Sequence, residues 1–153
     1  MDTTNKITIT CNNWDKRVDI AQAVADSLGI NMLDIDDYII RGSVMNGDLE
    51  NYSKDEFTEK YEQSVFNTLE AISYHAYVDT VKEPFVISLG NSKNELNLSI
   101  YRKTISIHIA ENGEKGVSSV ISDYTIPMES STSMIAKEIT EIVKNDGRWS
   151  NSL

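Results

Sequence analysis

Two short stretches hold most of the residues that could do chemistry. The first is Trp14-Asp15-Lys16-Arg17-Val18-Asp19, where two adjacent cations are flanked by carboxylates. Cations at the start of a helix can grip an anion, and free helix amides assist them. The same charges can also form an ordinary solvated first turn, a reading that the neighbouring Asp15 and Asp19 favour. The second stretch is Asp34-Ile35-Asp36-Asp37. Its carboxylates could hold magnesium or a substrate hydroxyl, or could cap a helix. His75 and His108 have no metal-ligating partner at a useful spacing, so structural roles are expected for both. Cys11 is the only cysteine, which excludes an intramolecular disulfide and a cysteine zinc cluster. It reads as a small buried apolar residue.

The elements that must position these residues follow from periodicity. Ile7, Ile9 and Cys11 alternate with Thr8 and Thr10, as in a strand, and a loop is expected from Cys11 to Asp19. Ile20, Val24 and Leu28 lie one helical turn apart, and Gly29 stands where a helix terminator belongs. Ile30–Leu33 predicts a second strand. Ser53 and Glu56 form a capping box, and Phe57, Tyr61, Val65, Leu69 and Ile72 continue a long helix expected to end near Tyr77. The apolar run Phe85–Leu89 suits a strand buried on both faces, and Gly90-Asn91-Ser92 breaks it. A second capping box at Ser92–Glu95 predicts a short helix to about Tyr101, followed by an alternating strand over Thr104–Ile109. A polar loop with Gly113 and Gly116 precedes a short strand at Tyr124–Met128, where Pro127 favours an edge. Ser130 and Ser131 can cap a last helix carrying Ile135, Ile139, Ile142 and Val143, with Asn145-Asp146-Gly147 ending it. This order predicts a three-layer α/β/α domain with a mostly parallel five-stranded sheet, because parallel strands need helical crossovers. Residues 1–147 form that single domain, and 148–153 are expected to be a flexible tail.

In an open parallel sheet, ligands bind beyond the carboxyl ends of the strands, so three loops matter: Cys11–Asp19, Asp34–Asp37 and Gly90–Ser92. There the sequence resembles the small-molecule kinases of the P-loop superfamily, shikimate kinase above all. The resemblance runs from the helix Ile20–Gly29 through Met32-Leu33-Asp34-Ile35-Asp36, then Val86-Ile87-Ser88-Leu89-Gly90, to Tyr124-Thr125-Ile126-Pro127 before the last helix. It spans about residues 6–145 in layout. It implies a P-loop kinase fold, with Ile7–Cys11 and Phe85–Leu89 adjacent at the sheet centre, and a crevice where Asp34 and Asp36 match the family's Asp-x-Asp.

The departures bear on activity. A phosphate loop needs Gly-x-x-x-x-Gly-Lys-Ser/Thr: glycines let the amides curl round the phosphates, the lysine bridges them and the hydroxyl holds magnesium. Counted back from Ile20, Cys11 and Lys16 take the glycine positions, Arg17 the lysine and Val18 the hydroxyl. Asp15 or Asp19 could cap the amides that a phosphate would otherwise take. Trp14 either plugs the vacated nucleotide site or protrudes as a contact for a partner. The family's triple glycine is reduced to Gly90-Asn91-Ser92, and Thr58 stands after Phe57 where the substrate-gripping arginine is expected. Lys115 is the sole cation between Ile109 and Tyr124, so no arginine-bearing lid is expected, and the whole chain has four arginines. Phosphoryl transfer depends on positioning and charge stabilisation, for which this set is poorly equipped.

The resulting expectation is a degenerate, pseudo-kinase relative that binds a protein partner, a second copy of itself or a small ligand, without a cofactor. The alternative is a working small-molecule or nucleotide kinase using ATP and magnesium, with Lys16 or Arg17 replacing the usual lysine. A third reading is an acidic decoy or inhibitor. At 153 residues the chain suits one domain, with 40% hydrophobic and 25% charged residues, close to the globular average. Its net charge of −10 argues against nucleic acid as a partner. The negative charge is scattered and forms no single acidic run, which disfavours the decoy. No apolar run approaches the roughly 20 residues of a membrane span, and Met1–Lys6 lacks the features of a secretory signal, so a cytoplasmic protein is expected. Within the crevice, Asp15, Asp19, Asp34, Asp36 and Asp37 are expected to converge. Lys16 and Arg17 would then either turn inward and neutralise Asp34 or Asp36, the favoured outcome, or face solvent and leave a site for a divalent cation.

Overall fold

The computed structural model describes residues 3–44, 63–90, 103–111, 122–128 and 131–150. In chain order these form β1 (Lys6–Thr10), α1 (Trp14–Leu28), β2 (Asn31–Asp34), α2 (Ile35–Val44), α3 (Gln63–Thr80), β3 (Phe85–Leu89), β4 (Ile105–Ala110), β5 (Tyr124–Pro127) and α4 (Thr132–Asn145). All five strands pair in parallel, in the order β2-β3-β1-β4-β5. β1 is therefore central and adjacent to β3, as the burial pattern and the family resemblance both required. β5 lies at one edge, where Pro127 is registered against Ala110 of β4 and no strand among the described residues pairs on its other side.

The pleat of β1 separates two cores. Ile7 and Ile9 join Ile105, Ile107, Ile109 and Val86 beneath α1 and α4, whose contributions include Ile20, Val24, Ile135 and Ile139. The opposite side carries a second cluster of Ile35, Ile39, Tyr74, Ile87 and Leu89 beneath α2 and α3. That second side of β1 and β4 is polar. Thr8 Oγ1 lies 2.6 Å from the Tyr74 hydroxyl and 2.9 Å from Thr104 Oγ1, and Thr10 Oγ1 lies 2.8 Å from Nδ1 of the buried His108. His108 thus takes part in the internal hydrogen bonding of the sheet, while His75 is half-buried on α3. Cys11 is fully buried in the first core.

Several expectations require correction. α1 starts at Trp14, not near Ile20, so the loop after β1 is only Cys11–Asn13. Asn13 caps α1 by accepting the Lys16 amide at 3.1 Å, the role expected of Asp15 or Asp19. Gly29 does end this helix, at φ 69°, a left-handed conformation that costs glycine little. α2 was absent from the expected element order, although the caps read into Asp34–Asp37 belong to it, β2 is shifted one residue to Asn31–Asp34, and α3 runs three residues past Tyr77 to Thr80. The capping boxes at Ser53–Glu56 and Ser92–Glu95, Phe57, Thr58, Asn91, Ser92, Lys115 and the tail end 151–153 lie outside the described residues.

The expected flexible tail is also corrected, for residues 148–150. The Thr4 amide donates to the Arg148 carbonyl and the Ser150 amide to the Thr4 carbonyl, a parallel bridge between Thr4 and Trp149. Arg148 Nη2 lies 2.9 Å from Asp146 Oδ2 and 3.0 Å from Asp123 Oδ2, and the Tyr124 hydroxyl donates to Asp146 at 2.9 Å. Chiefly through its hydrogen bonds with Arg148, the Asp146 carboxyl is lowered to about 2 from an ordinary 3.8. Its proton affinity is thus weaker folded than unfolded, so its stabilisation is complete above the ordinary carboxylate range and lost as pH falls through about 2. We expect Asp146→Asn to remove about 1–2 kcal/mol at neutral pH, allowing for screening at the partly exposed Arg148. Thermal melts at successive pH values should show the gap from wild type closing between pH 4 and 2. A gap independent of pH would rule out the ionic origin.

Candidate functional site

The site lies at the carboxyl edge of the sheet, where β1, β2 and β3 feed α1 and α2. Because α1 begins at Trp14, the buried stripe Ile20, Ala21 and Val24 extends backward by helical spacing onto Arg17. Arg17 is 0% exposed, the largest fully buried side chain described. Its Nε donates to Ser88 Oγ at 2.7 Å and Nη1 to the Cys11 carbonyl at 3.0 Å. Nη2 donates to Asp34 Oδ1 at 3.0 Å and to Asp36 Oδ2 at 2.8 Å. The planar fork of a guanidinium suits this divergent set, which a lysine could not reproduce. Burial opposes its charge, but the carboxylates of Asp36 and Asp34 outweigh that and raise its pKa above the ordinary arginine value.

Asp34 organises the junction. Its Oδ2 accepts the Trp14 indole N–H at 2.7 Å and the Asp37 amide at 3.0 Å, so the residue that ends β2 also caps α2. Asp36 and Asp37 occupy the first turn of α2, where the helix dipole favours negative charge. One guanidinium and one helix N-terminus therefore face two buried carboxylates. Trp14 is half-buried and packs beside the cluster containing Ile35 and Leu89, with its ring nitrogen turned toward Asp34. Of the two alternatives for Trp14, this is the inward one.

The two expected cations divide. Arg17 turns inward and pairs with both aspartates, which corrects its reading as part of a solvated first turn; Lys16 is exposed. Asp15 and Asp19 are also exposed, and Val18 is half-buried on α1. The gathering of five carboxylates is thus reduced to Asp34 and Asp36, with the backbone of Asp37 joining them. Reasoning from sequence missed Asn13 and Ser88. Ser88 carried a signal, since a hydroxyl inside a buried apolar strand needs a partner.

The donor set does not fit a nucleotide's phosphates. The Lys16 amide is taken by the Asn13 side chain and the Arg17 amide by the Asn13 carbonyl at 2.9 Å, leaving neither for an anion at this helix start. The guanidinium that would stand for the bridging lysine is enclosed by carboxylates, and Val18 supplies no hydroxyl for magnesium. No group of three or more His, Cys, Asp or Glu that could hold a metal ion occurs among the described residues. No helix among them is long and apolar enough to cross a membrane.

Neither protein-family models nor curated proteins give a match to this sequence. Solved structures do. Shikimate kinase from Aquifex aeolicus superposes with a TM-score of 0.72 at 19% identity, covering 91% of this chain and 96% of that one. The enzyme from Acinetobacter baumannii, solved with shikimate, gives 0.74 at 14% identity over 95% and 96%. Dephospho-CoA kinase from Campylobacter jejuni is more distant, at 0.52 and 10% identity over 93% and 96%. With the β2-β3-β1-β4-β5 parallel sheet and its flanking helices, the chain has the α/β fold of the P-loop kinases, in the form seen in shikimate kinase.

Proposed function

We propose that this chain is a kinase-fold protein that does not transfer phosphate and acts by binding a protein partner or a small ligand. The observation that carries the reading is Arg17. The cation in the position of the phosphate-bridging lysine is buried and engaged by Asp34, Asp36, Ser88 and the Cys11 carbonyl. Freeing it for a triphosphate would leave two buried carboxylates without their cation, an unfavourable exchange. The Asn13 cap supports the same reading, since a shortened loop and an extended helix replace the cradle of amides.

ATP with magnesium, at millimolar concentration, should leave the melting temperature unchanged and should not be hydrolysed. Ligand at a hundred times its dissociation constant would add about 2.7 kcal/mol, several degrees for a chain of this size. Calorimetric titration with magnesium or calcium alone should likewise give no saturable heat. A nucleotide-dependent shift accompanied by hydrolysis, both abolished by Lys16→Ala, would overturn the proposal in favour of an active kinase, because Lys16 is the expected cation that stays exposed. Affinity capture from the native source, followed by reconstitution with the purified candidate, tests the binding role directly.

A further inference from the structure

We draw no further inference here: the strongest candidate, the buried polar face of β1 and β4 where Thr10 meets His108 beside Thr8, Tyr74 and Thr104, hydrogen-bonds largely within itself, and nothing among the described residues shows what covers it or how a ligand would reach it.

Discussion

Replacing Arg17 with alanine should destabilise the protein by about 3–5 kcal/mol, the usual cost of removing one partner from a buried ion pair. For a chain of this length that corresponds to a fall in melting temperature of roughly 10 °C or more. The loss comes mainly from stranding Asp34 and Asp36, which are 7% and 0% exposed, and only secondarily from lost packing. The origin can be separated from simple truncation. Arg17→Met keeps much of the side-chain volume but leaves the same carboxylates without their cation, so it should be nearly as damaging as alanine. Adding Asp34→Asn and Asp36→Asn to Arg17→Met should then recover a substantial part of the loss, because the uncompensated charge is gone. Such recovery is the signature of coupled groups in a mutant cycle. If the triple variant is no more stable than Arg17→Met alone, the cluster is not held by charge pairing, and the central argument for a self-occupied site fails. ATP titration of the triple variant provides a second readout: the proposed function expects no gain of nucleotide binding, because the Asn13 cap and Trp14 remain.

A comparable loss is expected at the centre of the sheet. Ile9 is 0% exposed and lies on the face of β1 covered by α1 and α4, with β3 on one side and β4 on the other. Ile9→Ala removes three buried carbon atoms from a position flanked on every side by regular structure, where collapse around the void is restricted. The expected cost is about 2–5 kcal/mol, combining lost transfer energy with the cavity left behind. Ile72→Ala serves as the control. At 60% exposure on α3, it should change stability by less than about 0.5 kcal/mol. Equal effects at the two positions, measured by denaturant unfolding, would contradict the placement of the core between the sheet and the α1–α4 layer.

The amino-acid sequence by itself determined the architecture. Alternation at Ile7, Ile9 and Cys11, the apolar run Phe85–Leu89, and helical spacing from Ile20 and from Ile135 are local patterns whose periods specify strand or helix without knowledge of neighbours. Their order forces parallel pairing through crossovers, and the sheet follows. That the stretch after β1 carries neither the glycines nor the hydroxyl of a phosphate loop was equally legible, because such a loop is a contiguous motif. The cap of the last helix at Ser131 was legible too, whereas the start of α1 was decided by tertiary structure. α1 gains its first turn because Arg17, an unfavourable residue to bury alone, meets Asp34 at the end of β2, Asp36 in the first turn of α2 and Ser88 on β3. Spacing from Ile20 back to Arg17 marks the same face, but a charged residue on an apolar stripe ordinarily signals the end of burial. Only the side-by-side placement of β1, β2 and β3 supplies the compensating carboxylates. The tail behaves likewise: Asp146 is a local partner of Arg148, but Thr4 and Asp123 join Arg148–Ser150 only when segments distant in sequence meet. Composition and periodicity encode which surfaces are buried; which charges are buried together depends on contacts between residues distant in sequence, as Arg17, Asp34 and Asp36 show at this sheet edge.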